Sequence, residues 1–259
     1  SSFTFVFRQY AMKIDPNWVC VVKEGLSLPT LCPSVSYGID SETADYKGYN
    51  LSYIDGEMQF FVDTKSSRRV RFQLGLPGIH NVSNALACIA LLDQLGLPMA
   101  DIQRGLASFK GVKRRFDVQI KTSDLVYIDD YAHHPEELKS LIDSLRMMYP
   151  EQKISAVFQP HLYTRTRDFG NAFSEQLSRF DSLILLPIYP AREPEIIGIS
   201  SEWLLSMVRL EHKEVLSSTG VLEVMKQKTT GIIVTIGAGD IGEIVAPLKN
   251  ILIQNIEAI

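Results

Sequence analysis

The second half of this 259-residue chain sets the strongest limit on its fold. Four compact apolar runs, "LVYIDD", "ISAVFQP", "SLILLPIYP" and "GIIVTIGAG", are each followed by a segment with helical spacing. Strands that are apolar throughout, rather than alternating, must be covered on both faces. Strand–helix alternation supplies that cover through a parallel sheet. Residues 111–259 are therefore expected to form a small doubly wound, mainly parallel α/β domain.

The first half has a different rhythm. "WVCVV", "SVSYGI", "YKGYNLSYIDG", "EMQFFVDT" and "RRVRFQL" are short, often alternating and broken by turn residues, which predicts a largely antiparallel sheet. Asp55-Gly56 is read as its hairpin turn. Val82, Leu86, Ile89 and Leu92 follow helical spacing, so a helix is expected from His80 to Leu95, ended by Gly96. A second helix is expected from about Met99 to Phe109. The charged run "KGVKRRFD", Lys110 to Asp117, reads as a hinge, which places a domain boundary between residues 1–110 and 111–259.

Bulk properties narrow the function. A net charge of −4 disfavours a general polyanion-binding surface, so nucleic acid is not an expected partner. No apolar run reaches the roughly 18 residues of a membrane span, and no signal peptide is legible. Cys20, Cys32 and Cys88 are odd in number and widely spaced, which suits neither a disulfide frame nor a zinc site and fits a reducing cytoplasm. The opening "SSFTFVFRQYAMKIDP" has no initiator Met and reads as the end of an amphipathic helix, as in a fragment.

In open parallel sheets, ligands bind beyond the carboxyl ends of the strands. The unusual polar residues gather there: Asp129, Asp130, Tyr131, His133 and His134 after one run, His161, Arg165 and Arg167 after the next, and "LLPIYPARE" and "GAGDIG" after two more. Asp130 to Glu137 also suits a plain helix start, with Pro135 in the first turn and the Asp and His residues as caps. Adjacent histidines rarely reach one ion together and no H-x-x-x-H partner is present, so no metal site is assigned. In an extended segment Arg165 and Arg167 would share a side and grip one phosphate or carboxylate. Asn81 and Asn84, three apart in a helix start after His80, have the spacing to hydrogen-bond a flat base, or simply to cap.

"GIIVTIGAGDIG" has the G-x-G-x-x-G spacing of a dinucleotide fingerprint at Gly237, Gly239 and Gly242. That fingerprint needs a further strand and an acid about 20 positions on. Only 17 residues follow Gly242. The stretch is read instead as a sharp last strand-to-helix turn, and no NAD site is expected.

"LPGIHNVSNALA", "FKGVKRRFD", "DDYAHHPEE", "FQPHLYTRTRDF" and "GAGDIG" occur in this order and at intervals that together resemble the Mur ligases of bacterial cell-wall synthesis. The "QPH…TRTR" segment points to the branch that adds L-alanine to UDP-N-acetylmuramate, with the muropeptide-recycling branch as the nearest alternative. Several members carry a basic residue after the His of "QPH", where this chain has Leu162. The resemblance implies that residues 1–110 are the back part of a central ATPase domain and 111–259 the C-terminal domain. The chain contains no G-x-x-x-x-G-K-[ST] phosphate loop. It is thus expected to be an inactive fragment of a cytoplasmic enzyme, with most Mg2+ ligands outside it.

Implied partners are ATP with Mg2+, UDP-N-acetylmuramate and L-alanine; oligomeric state is left open. Implied roles are Asn81 and Asn84 at adenine and the nearby nucleotide with His80 adjacent, Arg115 at the phosphates, and Asp130 at the ribose or nucleotide. Tyr131 and His133 would line the reaction centre, and His161, Arg165 and Arg167 would orient the alanine carboxylate or an acyl phosphate. Readings from other classes are a non-catalytic nucleotide-binding module and a metallohydrolase built on the Asp/His cluster.

Overall fold

A computed structural model describes residues 9–54 and 56–257, and the chain divides after Lys110 into two compact units. Of the expected N-terminal helix end, residues 9–11 are helical and residues 1–8 lie outside the described residues.

The first unit is built on a five-stranded sheet in sequential order: β1 (Cys20–Lys23), β2 (Ser34–Ile39), β3 (Tyr46–Ile54), β4 (Glu57–Asp63) and β5 (Val70–Leu74). β4 shows why it pairs in the middle: Met58, Phe60 and Val62 alternate inward and are fully buried, the period-two pattern of a strand with one face on a core. Phe60 lies opposite Phe72 of β5 in register, and their rings stack at 5.8 Å. The sheet is mixed rather than largely antiparallel, because β1, β2 and β3 run parallel to one another while β3–β4 and β4–β5 are antiparallel. Alternation in sequence reports which face is buried and says nothing of strand direction. Ile54 pairs with Glu57 across the β3–β4 connection and Gly56 takes φ 88°; the other residue of the expected hairpin turn, Asp55, lies outside the described residues.

Helix α1 (Ile79–Gln94) covers this sheet with Val82, Ala85, Leu86, Ile89 and Ala90, a stripe at i, i+3, i+4, i+7 and i+8. It stops at Gly96, whose φ of 80° suits glycine and whose N–H donates to Asp93 O. Helix α2 (Met99–Ser108) packs beside β5.

The second unit holds a six-stranded sheet in the order β10-β9-β8-β11-β7-β6. Its strands are β6 (Asp117–Lys121), β7 (Leu125–Asp130), β8 (Ile154–Phe158), β9 (Ser182–Leu185), β10 (Lys213–Val215) and β11 (Gly231–Ile236). All pairs are parallel except the edge pair β6–β7. The helices are α3 (Pro135–Met148), α4 (Tyr163–Leu177), α5 (Ser201–Met207), α6 (Ser218–Val224) and α7 (Val245–Glu257).

Successive strand residues serve opposite cores. Val126, Ile128, Ile232, Val234 and Ile236 join Leu138, Ile142 and Phe173 on one face. Leu125, Tyr127 and Ile233 join Val221, Leu248 and Leu252 on the other. Both faces are dry, which is why these strands read as unbroken apolar runs. Among the described residues, no helix is long and apolar enough to cross a membrane.

Candidate functional site

The order β9-β8-β11-β7, all parallel, puts the carboxyl ends of the four apolar strands side by side on one edge. The loops that carry the conspicuous polar residues of the second unit all leave from that edge.

The cluster after β7 separates into distinct jobs. Asp129 points to the face lined by Tyr127 and is fully buried; its Oδ1 accepts from Thr235 Oγ1 at 2.7 Å and its Oδ2 from Arg114 Nε at 3.0 Å. The Tyr127 hydroxyl lies 3.1 Å from Thr235 Oγ1 and completes the set. Burial pushes the Asp129 carboxyl up, against the downward pull of Thr235 and Arg114. Asp130, the next residue, turns the other way. Its two oxygens accept from the backbone N–H groups of Phe116 (2.7 Å) and Ala132 (2.8 Å). Desolvation outweighs those bonds, and its carboxyl is pushed up to about 6.

His134 is the N-cap of α3: its Nδ1 accepts from Glu136 N, while Glu137 accepts from the N–H groups of both His133 and His134, with Pro135 at the first helical position. Capping thus accounts for His134. Tyr131 and His133 are left at the edge, ring against ring at 5.5 Å in an edge-on arrangement. His133 Nδ1 is 2.9 Å from the Tyr131 carbonyl, which only accepts, so this nitrogen carries a proton.

After β8, the chain enters α4 at Tyr163, so "TRTR" is helical and not extended. Two positions along a helix turn a side chain by about 200°, so Arg165 and Arg167 diverge. Arg165 Nη1 faces His161 Nδ1 at 3.3 Å. Arg167 pairs with its neighbour Asp168 at the exposed surface. The expectation of two guanidinium groups on one anion is thereby corrected. Leu162, the residue before α4, sits at φ 72° and offers no cap. Glu193, far along the chain, does that work, accepting from Thr164 N (3.0 Å) and Thr164 Oγ1 (2.5 Å). Those bonds hold its carboxyl below the usual range.

His161 lies 5.9 Å from the ring of His133 and 5.5 Å from that of Tyr189. Burial first, then the charge of Arg165 and the neighbouring His133, lower its pKa, with Glu193 acting in the opposite sense. A neutral imidazole that meets only donors from Arg165 at Nδ1 keeps its proton on Nε2.

The G-x-G-x-x-G stretch is occupied by the protein itself. Gly237, at φ 147°, gives its carbonyl to Arg114 Nη2 at 2.7 Å. Gln159 grips the other end of the turn, its Nε2 donating to Asp240 Oδ1 (2.5 Å) and its Oε1 accepting from Ile241 N (2.9 Å). A Cβ on Gly239 would overlap Gln159 Oε1 and come within 2.6 Å of Tyr189 Cγ; one on Gly242 would meet Arg114 Nη1 at 2.7 Å. The close approach that a dinucleotide fingerprint reserves for a pyrophosphate is taken here by side chains.

Arg115 is exposed, just outside this edge in sequence. His80, Asn81 and Asn84 belong to the first unit, at the start of α1; Asn84 is exposed, and Asn81 Nδ2 donates to Pro77 O at 2.7 Å. Among the described residues, no group of three His, Cys, Asp or Glu side chains gathers as a metal site. Arg114, Gln159, Tyr189 and Glu193 were passed over in the sequence. Tyr189 and Glu193 lay in plain view within "LLPIYPARE", whereas Arg114 was hidden beside the more conspicuous Arg115.

Family comparison matches residues 11–92 to the Mur ligase middle domain and residues 114–240 to the Mur ligase glutamate ligase domain. The UDP-N-acetylmuramate–L-alanine ligase of Flavobacterium johnsoniae is 42% identical over 250 residues, covering 96% of this chain and 55% of that protein. The chain thus spans about half the length of the curated relatives it matches. Among solved structures, the UDP-N-acetylmuramate-alanine ligase of Thermotoga maritima superposes with a TM-score of 0.67 at 24% identity, over 86% of this chain and 48% of that one. The MurF ligase of Thermotoga maritima in complex with ADP does so at 0.69 and 17% identity, over 93% and 55%. At these identities the two structures establish the fold.

Proposed function

This chain belongs to the Mur ligase family, carrying its middle and C-terminal ligase domains, and from that premise we propose that it serves the ATP-dependent joining of L-alanine to UDP-N-acetylmuramate in the bacterial cytoplasm. The relatives named for that activity support the choice of substrates. The observation that carries the site is the meeting of Tyr131, His133, His161 and Arg165 on one strand edge.

In this reading the lactyl carboxylate takes the terminal phosphoryl group of ATP, releasing ADP and leaving an acyl phosphate. The alanine amine then attacks the acyl carbon, and phosphate departs from the tetrahedral intermediate. Such transfers rest on positioning and charge neutralisation more than on a protein nucleophile. The donor set suits this. Arg165 and the Nε2–H of His161 offer a carboxylate-binding pair. Tyr131 and His133 lie beside them at the reaction centre, and exposed Arg115 is available to phosphate oxygens. Asp130, already held by two backbone N–H groups, has lone pairs left for a ribose hydroxyl. In the first unit, His80, Asn81 and Asn84 are assigned to the base. Mg2+ would accompany the nucleotide, with most of its ligands outside this chain. Arg167 is left out, since its helix turns it away from Arg165.

The test is a ligation assay on the full-length product of the gene that encodes this sequence. With Mg2+-ATP, phosphate release is expected only when UDP-N-acetylmuramate and L-alanine are both present. Release with a tripeptide in place of L-alanine would reassign it to the recycling branch. Nucleotide binding with no release under either condition would leave a binding module.

A further inference from the structure

The side chains on the strand edge form a closed circuit of contacts. Arg114 donates to the Gly237 carbonyl, and its guanidinium carbon lies 5.1 Å from the centre of the Tyr131 ring. Tyr131 meets His133 at 5.5 Å, His133 meets His161 at 5.9 Å, and His161 meets Tyr189 at 5.5 Å. Tyr189 in turn packs against Gly239, so tightly that a Cβ there would reach 2.7 Å from Tyr189 Cβ. Gly239 is two residues from Gly237, and the circuit closes.

Three of its members, Tyr131, His133 and His161, belong to the proposed reaction centre. Arg114 and Tyr189 do not, yet each is held more firmly than a surface contact requires. Arg114 is anchored by the buried Asp129 carboxylate and sits at φ 61°, a left-handed conformation costly for a side chain of this kind. Its own carbonyl accepts from Tyr131 N at 2.7 Å. Tyr189 is fixed by a backbone ladder, its N–H donating to Pro160 O (2.8 Å) and its carbonyl accepting from Leu162 N (2.9 Å). Its ring therefore stands between the glycine turn and His161. Four residues on, Glu193 binds the first turn of α4, from which Arg165 projects.

We infer that Arg114 and Tyr189 are positioning residues: Arg114 sets the Tyr131 ring from one side, and Tyr189 sets the His161 imidazole, and with it the His161–Arg165 pair, from the other. Neither needs to touch substrate. For Tyr189 the flat ring does this, since neighbouring Gly239 leaves room for a ring face and no more. For Arg114 it is the forked guanidinium, which serves Asp129, Gly237 and Tyr131 together; a lysine ammonium cannot do all three.

The role in ligation rests on the function proposed above, whereas the positioning itself is read without it. In long-range proton–nitrogen NMR spectra of the 259-residue chain, His161 should appear as the Nε2–H tautomer, because its other nitrogen accepts from Arg165. The groups facing it are Arg165, His133 and Glu193. Tyr189→Phe should preserve that tautomer, and Tyr189→Leu, which keeps bulk but loses the flat ring, should convert it to a mixture. Arg114→Lys should abolish the cross-relaxation between the Tyr131 and His133 rings. In the full-length enzyme, Tyr189→Leu should raise the KM for L-alanine by about tenfold or more, with the KM for ATP unchanged and Tyr189→Phe near wild type. An unaltered His161 tautomer in Tyr189→Leu would overturn the inference, even if no ligation were detected in any variant. A wild-type enzyme without ligase activity but with the tautomer shift would sink the function and leave the positioning standing.

Discussion

Thr235 and Asp129 are direct partners in the parallel register of β11 and β7, and the threonine hydroxyl donates to the aspartate carboxylate at 2.7 Å with both residues fully buried. A buried carboxylate in mid-sheet is costly unless every oxygen is partnered; here Thr235 and Arg114 do so from two directions. Thr235→Val keeps the shape of the side chain and removes the donor. It should lower unfolding stability by about 1–3 kcal/mol, because Asp129 loses a bond it cannot replace from water. Chemical denaturation of the two proteins measures this, and equal midpoints would show the bond to contribute nothing.

Asp130 should titrate far above an ordinary aspartate. Its carboxyl is pushed up from 3.8 to about 6 by burial, in spite of the two N–H groups it accepts. The folded chain therefore holds this proton more tightly than the unfolded chain does. The resulting stabilisation is present below about pH 3.8 and is lost as pH rises through about 6. Carbon-13 NMR of the carboxyl should give a midpoint near 6. A midpoint near 4 would mean that water reaches Asp130 and the edge is wetter than the structure has it.

The two arginines of "TRTR" should behave differently. Arg165→Ala removes the group that faces His161, and about a tenfold or larger rise in the L-alanine requirement of the full-length enzyme is expected, or a matching fall in turnover. Arg167→Ala breaks only an exposed pair with Asp168, and such pairs contribute about 0–1 kcal/mol. Steady-state kinetics of both variants decide the matter; equal losses would mean that the start of α4 unwinds when substrate binds.

Gly239→Ala should be markedly worse than Gly242→Ala. At Gly239 an added methyl meets the Gln159 amide, held by its own hydrogen bonds, and the ring of Tyr189, whose backbone is bonded to Pro160 and Leu162. Overpacking of that kind costs about 1–3 kcal/mol. At Gly242 the obstacle is the far end of the Arg114 side chain, which can shift only by loosening its bonds to Asp129 and the Gly237 carbonyl, a smaller cost than displacing a ring and a buried amide. Thermal unfolding midpoints should rank wild type, Gly242→Ala, Gly239→Ala, and the reverse order for the two variants would contradict the tight seat of Tyr189.

Much of the architecture was legible residue by residue. α1 followed from the spacing of Val82, Leu86 and Ile89, and ends at Gly96 as expected. β2 coincides with "SVSYGI", and β7, β8, β9 and β11 each lie within an apolar run. The edge strand β6 and the three-residue β10 were not anticipated, since both carry charged residues and neither stands out as an apolar run. Burial pattern and turn chemistry are local quantities, set by which residues stand two, three or four positions apart, so they survive in a one-dimensional string. The choice of a covered parallel sheet follows from the same string, since a strand that is apolar on both faces can lie nowhere else.

Pairings between distant residues are not written in any local spacing. Arg114 reaches Gly237 across 123 positions, Gln159 reaches Asp240 across 81, and Glu193 caps a helix that begins 30 residues before it. The Asp and His cluster looked uniform in sequence. Tertiary contacts divide it into a buried acid (Asp129), a desolvated one (Asp130), a cap (His134) and an edge histidine (His133). Strand direction in the first sheet and the divergence of Arg165 from Arg167 were likewise decided only on folding. Composition and spacing determine which chemistry reaches the strand edge. Packing decides which of those groups are used up in holding the edge together and which remain to meet a substrate, because a polar group taken out of water must first find a partner within the fold.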